Sequence, residues 1–260
     1  GSQFSPRAHL KYALTPQLDL RATSCRAWRL PNFVADNINL LASSHAWIAN
    51  QALLPEISWN TGLSLVQGFS FKKRKGSLSL DAYHTRFAQQ LVADRDTLSG
   101  YVVFKNLAAA SVATVLQAEF TYEVIRGLDL RLAYKFQDVR ALYNGKLQTQ
   151  VLLPRQRFFT NVAYQSRNKR WEYDLTYSRY SAVRLPLQGE GKAWGLLNAQ
   201  VTRSWKSIEL YLGGENLLNF RQDHPIMDPQ NPFGTQFDAT QVWGPIMGWN
   251  AYFGLRFTLK

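Results

Sequence analysis

Apolar and polar residues alternate with period two through most of this chain. Between Leu128 and Gln137, an extended backbone puts Leu128, Leu130, Leu132, Tyr134 and Phe136 on one face and Asp129, Arg131, Lys135 and Gln137 on the other. The pattern recurs at Trp171, Tyr173, Leu175 and Tyr177 against Glu172, Asp174, Thr176 and Ser178, and at Ile208, Leu210 and Leu212 against Glu209, Tyr211 and Gly213. It closes the chain, where Trp249, Ala251, Phe253, Leu255, Phe257 and Leu259 oppose Asn250, Tyr252, Gly254, Arg256 and Thr258. Read along its whole length, the pattern predicts eleven strands, at 6–13, 17–28, 57–71, 77–91, 112–124, 128–140, 150–165, 170–183, 193–205, 207–219 and 247–259, and almost no helix.

Several of these strands run to ten residues or more. Strands of soluble sheets average about five or six residues, whereas a tilted strand needs about nine to eleven to cross a bilayer. The connections alternate as well. Links at 14–16, 72–76, 125–127, 166–169 and 206 are short, and those between them, 29–56, 92–111, 141–149, 184–192 and 220–246, are long. Outer-membrane barrels have short periplasmic turns and long outer loops. The expected fold is therefore all-β, a transmembrane antiparallel β-barrel segment forming one unit over 1–260. Trp28, Trp59, Trp171, Trp194, Trp205 and Trp249 fall near predicted strand ends, where aromatic girdles meet lipid headgroups.

Composition agrees. Charged residues are 18% of the chain, below the soluble average of about 25%, while aromatics reach 13%. No apolar run is long enough for a transmembrane helix; Leu107 to Leu116 is short and broken by Ser111 and Thr114. Cys25 is the single cysteine, so no internal disulfide or thiol-based zinc site can form. The net charge of +12 suits an anionic partner without naming one.

Catalysis finds little support. His9, His45, His84 and His224 are scattered, with no metal-ligand spacing, and no cofactor is expected. Glu209 with Glu215, and Glu172 with Asp174, share faces as period two dictates on any polar wall. There is no nucleophile elbow, phosphate loop or dinucleotide fingerprint, and Gly213-Gly214 inside a strand points to close packing. Lys72-Lys73-Arg74-Lys75 is the densest basic run; it sits in a short hairpin turn, where solvation is a simpler reading than nucleic-acid binding. Arg26, Arg29, Arg140, Arg184, Lys192 and Arg221 lie near predicted outer ends, in reach of lipopolysaccharide phosphates or serving loop solubility.

YLGGENLLNFRQ, residues 211–222, resembles the end of the next-to-last strand of TonB-dependent outer-membrane receptors, where an Asn-Leu-aromatic-Asp/Asn cluster enters the last outer loop. Asn216, Leu217, Leu218 and Asn219 match it, with Leu218 in the aromatic position. NPFGTQFDATQVWGPIMG (231–248), the closing YFGLRFTLK, RLPNFVADN followed by LLASSHAWI (29–48) and PEISWNTGLSL (55–65) are similar to the Bacteroidetes branch of that family. The resemblance implies the C-terminal half of a twenty-two-stranded receptor barrel. It implies that the N-terminal half and plug come from elsewhere, with the TonB energy-coupling complex engaged through the plug and a surface lipoprotein as a further partner. It also implies an outer-membrane location in a Gram-negative bacterium and uptake of a scarce solute such as an iron chelate, vitamin or glycan.

Ligand contact is expected at the outer loops, which alone face arriving solute. Phe33, Trp47, Tyr143, Phe233, Phe237 and Trp243 offer stacking surfaces; Asn32, Asp36, Asn37, Asp223, Asp228, Asn231 and Asp238 offer polar contacts. Loop aromatics could equally pack among themselves, and the acids are too dispersed to argue for calcium. Two further readings stay open: a self-closed passive pore, and an all-β surface binding or adhesion protein. Eleven strands argue against self-closure, because an odd count would bring the two ends together in parallel.

Overall fold

The computed structural model describes residues 3–49, 52–143 and 146–259. In chain order the elements are β1 (Arg7–Thr15), β2 (Leu18–Arg29), a 3-10 segment (Ala35–Leu41), β3 (Ala46–Ile48), β4 (Glu56–Phe71), β5 (Arg74–Asp94), β6 (Tyr101–Ile125), β7 (Leu128–Tyr143) and β8 (Lys146–Thr149). They continue with β9 (Gln156–Gln165), β10 (Trp171–Tyr180), β11 (Val183–Arg184), a second 3-10 turn (Pro186–Gln188), β12 (Glu190–Gly191), β13 (Trp194–Trp205), β14 (Ile208–Glu215) and β15 (Asn250–Phe257).

Eleven of the strands form one continuous antiparallel meander in the order β1-β2-β4-β5-β6-β7-β9-β10-β13-β14-β15, so the wall predicted from period two is present with its full strand count. Among the described residues β1 pairs only with β2 and β15 only with β14, which leaves both sheet edges free.

Register carries each strand's polar face into the next. Arg131 sits opposite Thr121 on β6 and Asn161 on β9, Asp174 opposite Ala163 and Gln200, and Gln200 opposite Gly213. On the other side, Leu63, Leu80, Leu116, Leu175, Leu212, Phe253 and Leu255 are all large apolar residues exposed at 44% or more. The chain's accessible surface is 16619 Å², against about 11,600 Å² for a compact soluble chain of 29.7 kDa. Its apolar side chains are not folded into a central core; they cover one face of the sheet.

Close packing on the polar face uses glycine, as the Gly213-Gly214 pair suggested. Tyr211 lies over Gly254 and Tyr252 over Gly213, in directly paired positions of β14 and β15. A Cβ on Gly254 would stand 2.1 Å from the Tyr211 ring, and one on Gly213 2.3 Å from Tyr252. The Tyr252 hydroxyl then donates to Gln200 Oε1 at 2.8 Å.

Four expectations need correction. The link at 92–111 is not a long loop: β5 and β6, of 21 and 25 residues, continue far beyond bilayer thickness and turn only at 95–100. The strand expected at 150–165 starts at Gln156, because Pro154 cannot donate to a ladder and its carbonyl instead accepts from Gln137 Nε2. The strand expected at 207–219 stops at Glu215, where Asn216 turns to φ 50°. Trp194 is no girdle residue; it is 8% exposed and stacks on Tyr180 at 3.9 Å beneath the outer loops.

Candidate functional site

The outer loops condense into a cap with two small cores, one on each face of the projecting β5–β6 hairpin. Val92, Leu107, Ala141 and Tyr143 form one. Leu40, Val102 and Phe104 form the other, joined by Phe33, Trp47, Leu53, Leu91 and Ala93. Alternation dictates the split, because neighbouring residues of one strand point to opposite faces. The β2–β4 loop reaches across to lay β3 parallel to the start of β6, pairing Ala46 with Tyr101. Its far end is held by Asn106, whose side chain exchanges two hydrogen bonds with the Leu54 backbone, 2.9 and 3.1 Å.

Polar anchors tie the loops to one another. Asp238, in the loop between β14 and β15, is 1% exposed and accepts from Thr240 N (2.7 Å), Thr240 Oγ1 (2.6 Å) and Gln241 Nε2 (2.9 Å). Arg95 at the tip of the β5–β6 hairpin lies 3.7 Å from it, and His45 of the β2–β4 loop 4.0 Å. Backbone contacts join the same two loops: Ala239 N donates to Ala42 O (2.9 Å) and Ser44 N to Phe237 O (2.9 Å).

On the hairpin itself, Asp94 is fully buried and binds Lys105 Nζ at 2.5 Å together with the Asp96 and Thr97 backbone N–H groups. Asp96 carries the network to the β10–β13 loop, pairing with Arg184 at 2.8 Å and accepting from Leu187 N at 2.9 Å. Arg184 Nε donates to Thr149 O (2.7 Å), which brings in the β7–β9 loop. All five connections at this end of the sheet are thus cross-braced.

Burial pushes the carboxyls of Asp94 and Asp238 upward, but hydrogen bonds outweigh it, from Lys105 and Thr97 in one case and Thr240 and Gln241 in the other; both stay ionised below the usual carboxylate range. Burial lowers the Arg95 guanidinium, opposed by Asp238 and Asp96. Burial, with Asp94 nearby, pushes Tyr143 up to about 12.

The family motif is a clamp. Asn216 Nδ2 donates to the carbonyls of Phe220 (2.8 Å) and Met247 (3.1 Å), while its Oδ1 accepts from Phe220 N (3.1 Å). Asn219 Oδ1 accepts from Trp249 N at 3.1 Å. Both asparagines have positive φ, 50° and 53°, and together they hold the two stems of the last loop side by side; Leu217 and Leu218 are exposed between them. Deeper in that loop, Gln222 accepts from Trp243 N and Gly244 N and donates to Gln241 O.

The expected contact residues divide into two groups. Phe33 and Trp47 pack on Phe104, with ring centroids 5.1 and 4.9 Å away, and Tyr143 is 6% exposed. Asn32 caps Ala35 N, Asn37 donates to Phe33 O, Asp36 pairs with Arg29, and Trp243 packs on Phe220. These side chains are engaged in the cap's own contacts, with Asn32 and Asp36 still exposed. Phe233 is 98% exposed, Asp228 and Asn231 are exposed beside it, Asp223 is exposed and paired with Lys192, and Phe237 is half-buried.

The outer cations are mostly held internally: Arg29 by Glu56 and Asp36, Arg140 by Asp138, Arg184 by Asp96 and Lys192 by Asp223. Among the described residues no group of His, Cys, Asp or Glu could hold a metal ion. Sequence reasoning missed Arg95, Asp94, Asp96, Lys105 and Gln222. The Asp94-Arg95-Asp96 run was a signal, hidden because it fell in a stretch read as loop.

An exposed apolar face, a polar inner face and a braced loop cap at one rim define the wall of a membrane-type antiparallel β-barrel. The family model described as TonB dependent receptor-like, beta-barrel, matches residues 1–217, and the chain belongs to that family. No curated protein matches it.

Among solved structures, a mutant of the ferric enterobactin receptor PfeA from Pseudomonas aeruginosa is similar, with a TM-score of 0.69 and 16% identity over 99% of this chain and 40% of the receptor. The siderophore receptor PiuA from Acinetobacter baumannii gives a TM-score of 0.66 and 13% identity over 96% and 35%. The FrpB iron transporter from Neisseria meningitidis gives 0.64 and 12% over 99% and 39%. At these identities the likeness is one of fold, and the chain spans about two fifths or less of the length of these relatives.

Proposed function

We propose that this chain is the C-terminal half of the barrel of a TonB-dependent receptor of the Bacteroidetes type, in the outer membrane of a Gram-negative bacterium, and that it serves uptake of an iron chelate. The observation that carries the reading is the braced cap at one rim of the sheet, since connections cross-tied there form a rigid rim around a mouth. The ferric-siderophore receptors of matching fold favour an iron chelate over a vitamin or glycan. In this reading solute is captured at the exposed parts of the cap, with Phe233, Asn32, Asp223 and Asp228 as contact residues, and the receptor's plug rearranges when the energy-coupling complex pulls on it.

The free edges of β1 and β15 require neighbours, because each unpaired backbone group in hydrocarbon costs several kcal/mol. The N-terminal barrel half is the partner that restores antiparallel pairing on both sides.

The test is uptake of radio-iron from a panel of ferric chelates by iron-starved cells with and without the intact protein. Uptake of at least one chelate should require both the protein and the coupling complex. Equal uptake of every chelate in both strains would overturn the iron reading. Detergent extraction, followed by the mass of everything that travels with the chain, tests the half-barrel partner.

A further inference from the structure

The net charge of +12 is distributed unevenly between the two ends of the sheet. At the loop end most cations are matched by the carboxylates described above. The turn end is different. The β4–β5 turn exposes Lys72 and Lys73, and Lys75 follows at the start of β5; the β6–β7 turn exposes Arg126; the β9–β10 turn exposes Arg167, Lys169 and Arg170; the β13–β14 turn exposes Lys206. Among the described residues none of these eight forms an ion pair, whereas Arg74 beside them pairs with Glu123 at 3.2 Å.

Two further observations bear on this rim. First, Lys72, Lys73, Lys169 and Lys206 have φ of 49°, 62°, 55° and 27°. In these left-handed positions glycine or asparagine would sit with less strain, and type I′ hairpins ordinarily use Asn-Gly. Lysine at these positions carries a backbone cost that glycine would not. Second, the apolar face just inside these turns is aromatic. Phe69 stacks on Phe120 and Tyr122, and Trp171 on Tyr173. Between Trp171 and Trp205 lies the Arg203 guanidinium, 4.5 and 5.2 Å from the two rings and without a carboxylate partner among the described residues. Aromatic side chains at this height mark the headgroup layer, and a cation held between them is presented to that layer.

We infer that the turn rim is a binding surface for anionic phospholipid headgroups of the leaflet on that side. The inference rests on the membrane placement proposed above. The cations are strung along four successive turns, with no concave site between them, a layout that fits a row of headgroup phosphates. Each Lys or Arg near an anionic surface strengthens binding roughly fivefold.

The test uses the intact protein extracted from outer membranes directly into polymer-bounded nanodiscs, so that its own lipid annulus travels with it. Phosphatidylglycerol and cardiolipin, relative to phosphatidylethanolamine, should be enriched severalfold over the bulk membrane. A variant carrying Lys72→Asn, Lys73→Gly, Lys169→Gly and Lys206→Gly removes charge while relaxing the turns, so it should assemble as well as the parent or better. Its annulus should fall back toward bulk composition, and Arg203→Gln should lower the enrichment further. Equal enrichment in parent and variant, or none in the parent, would overturn the inference. So would a periplasmic protein, lost from the variant, occupying the rim with the lipid ratio unchanged. Absence of the protein from the outer-membrane fraction would instead remove the placement on which the inference rests.

Discussion

Arg95, at the tip of the β5–β6 hairpin, lies 3.7 Å from Asp238 in the loop before β15, and both side chains are almost completely withdrawn from solvent. The pair joins loops from distant parts of the sheet order, so it braces the cap across segments far apart in the chain. Removing one member takes the nearest full opposite charge away from a buried partner, a loss of about 3–5 kcal/mol. Asp238→Ala should make residues 220–249 exchange amide hydrogen and yield to protease far faster, while the transmembrane strands stay protected. Unchanged exchange would mean that the backbone contacts between the loops suffice.

Asn216→Ala removes three hydrogen bonds and places alanine at φ 50°, for a combined loss of about 2–4 kcal/mol. Asn216→Gly relieves the backbone but not the hydrogen bonds, so it should recover only part of that loss. The assembled fraction, read as the heat-modifiable band on a gel, should rank parent above glycine above alanine. Alanine equal to parent would rule out the clamp.

The cap should respond to pH asymmetrically. Asp94 and Asp238 have folded values below the ordinary 3.8, so their stabilisation is complete above that value and is lost as pH falls through the lower folded one. Tyr143 is raised from 10.0 to about 12, so its contribution is complete below pH 10 and disappears as pH climbs to about 12. Cap hydrogen exchange, corrected for intrinsic rate, should be flat from neutral to mildly acid pH. Asp94→Asn should remove part of the acid limb, and a limb of unchanged size would assign the acid sensitivity elsewhere.

Leu132→Lys places a charge on the apolar face, opposite Phe120. If that face meets hydrocarbon, the substitution costs about 2–4 kcal/mol and reduces assembly sharply, whereas Ala133→Lys on the polar face should be mild. Equal tolerance at the two positions would contradict the membrane orientation of the wall.

Gly254→Ala drives a methyl group against the Tyr211 ring and should cost about 1–3 kcal/mol. Tyr211→Ala in the same chain should return most of it, and a double-mutant cycle measures that coupling. Additive effects would indicate that the ring moves aside freely.

The strand pattern was legible because period-two alternation is a local consequence of backbone geometry: each of the eleven wall strands, with its oily and wet faces, can be read from its own ten or so residues. Family membership was legible from the short runs around Asn216 and in the loops. The cap was not. Phe33, Trp47 and Tyr143 look like free aromatic surfaces in sequence, and become interior only because β3 crosses to β6 and the β5–β6 hairpin rises between two loops. Arg95 and Asp238 carry no local signal of each other, since their meeting depends on how the whole sheet bends. Sequence by itself determined which face of the clearly alternating strands is oily and which turns are rich in cations, because those follow from covalent order and strand geometry. Only the tertiary structure decided which loop residues are buried and which counterions they meet, because those depend on contacts between segments far apart in the chain.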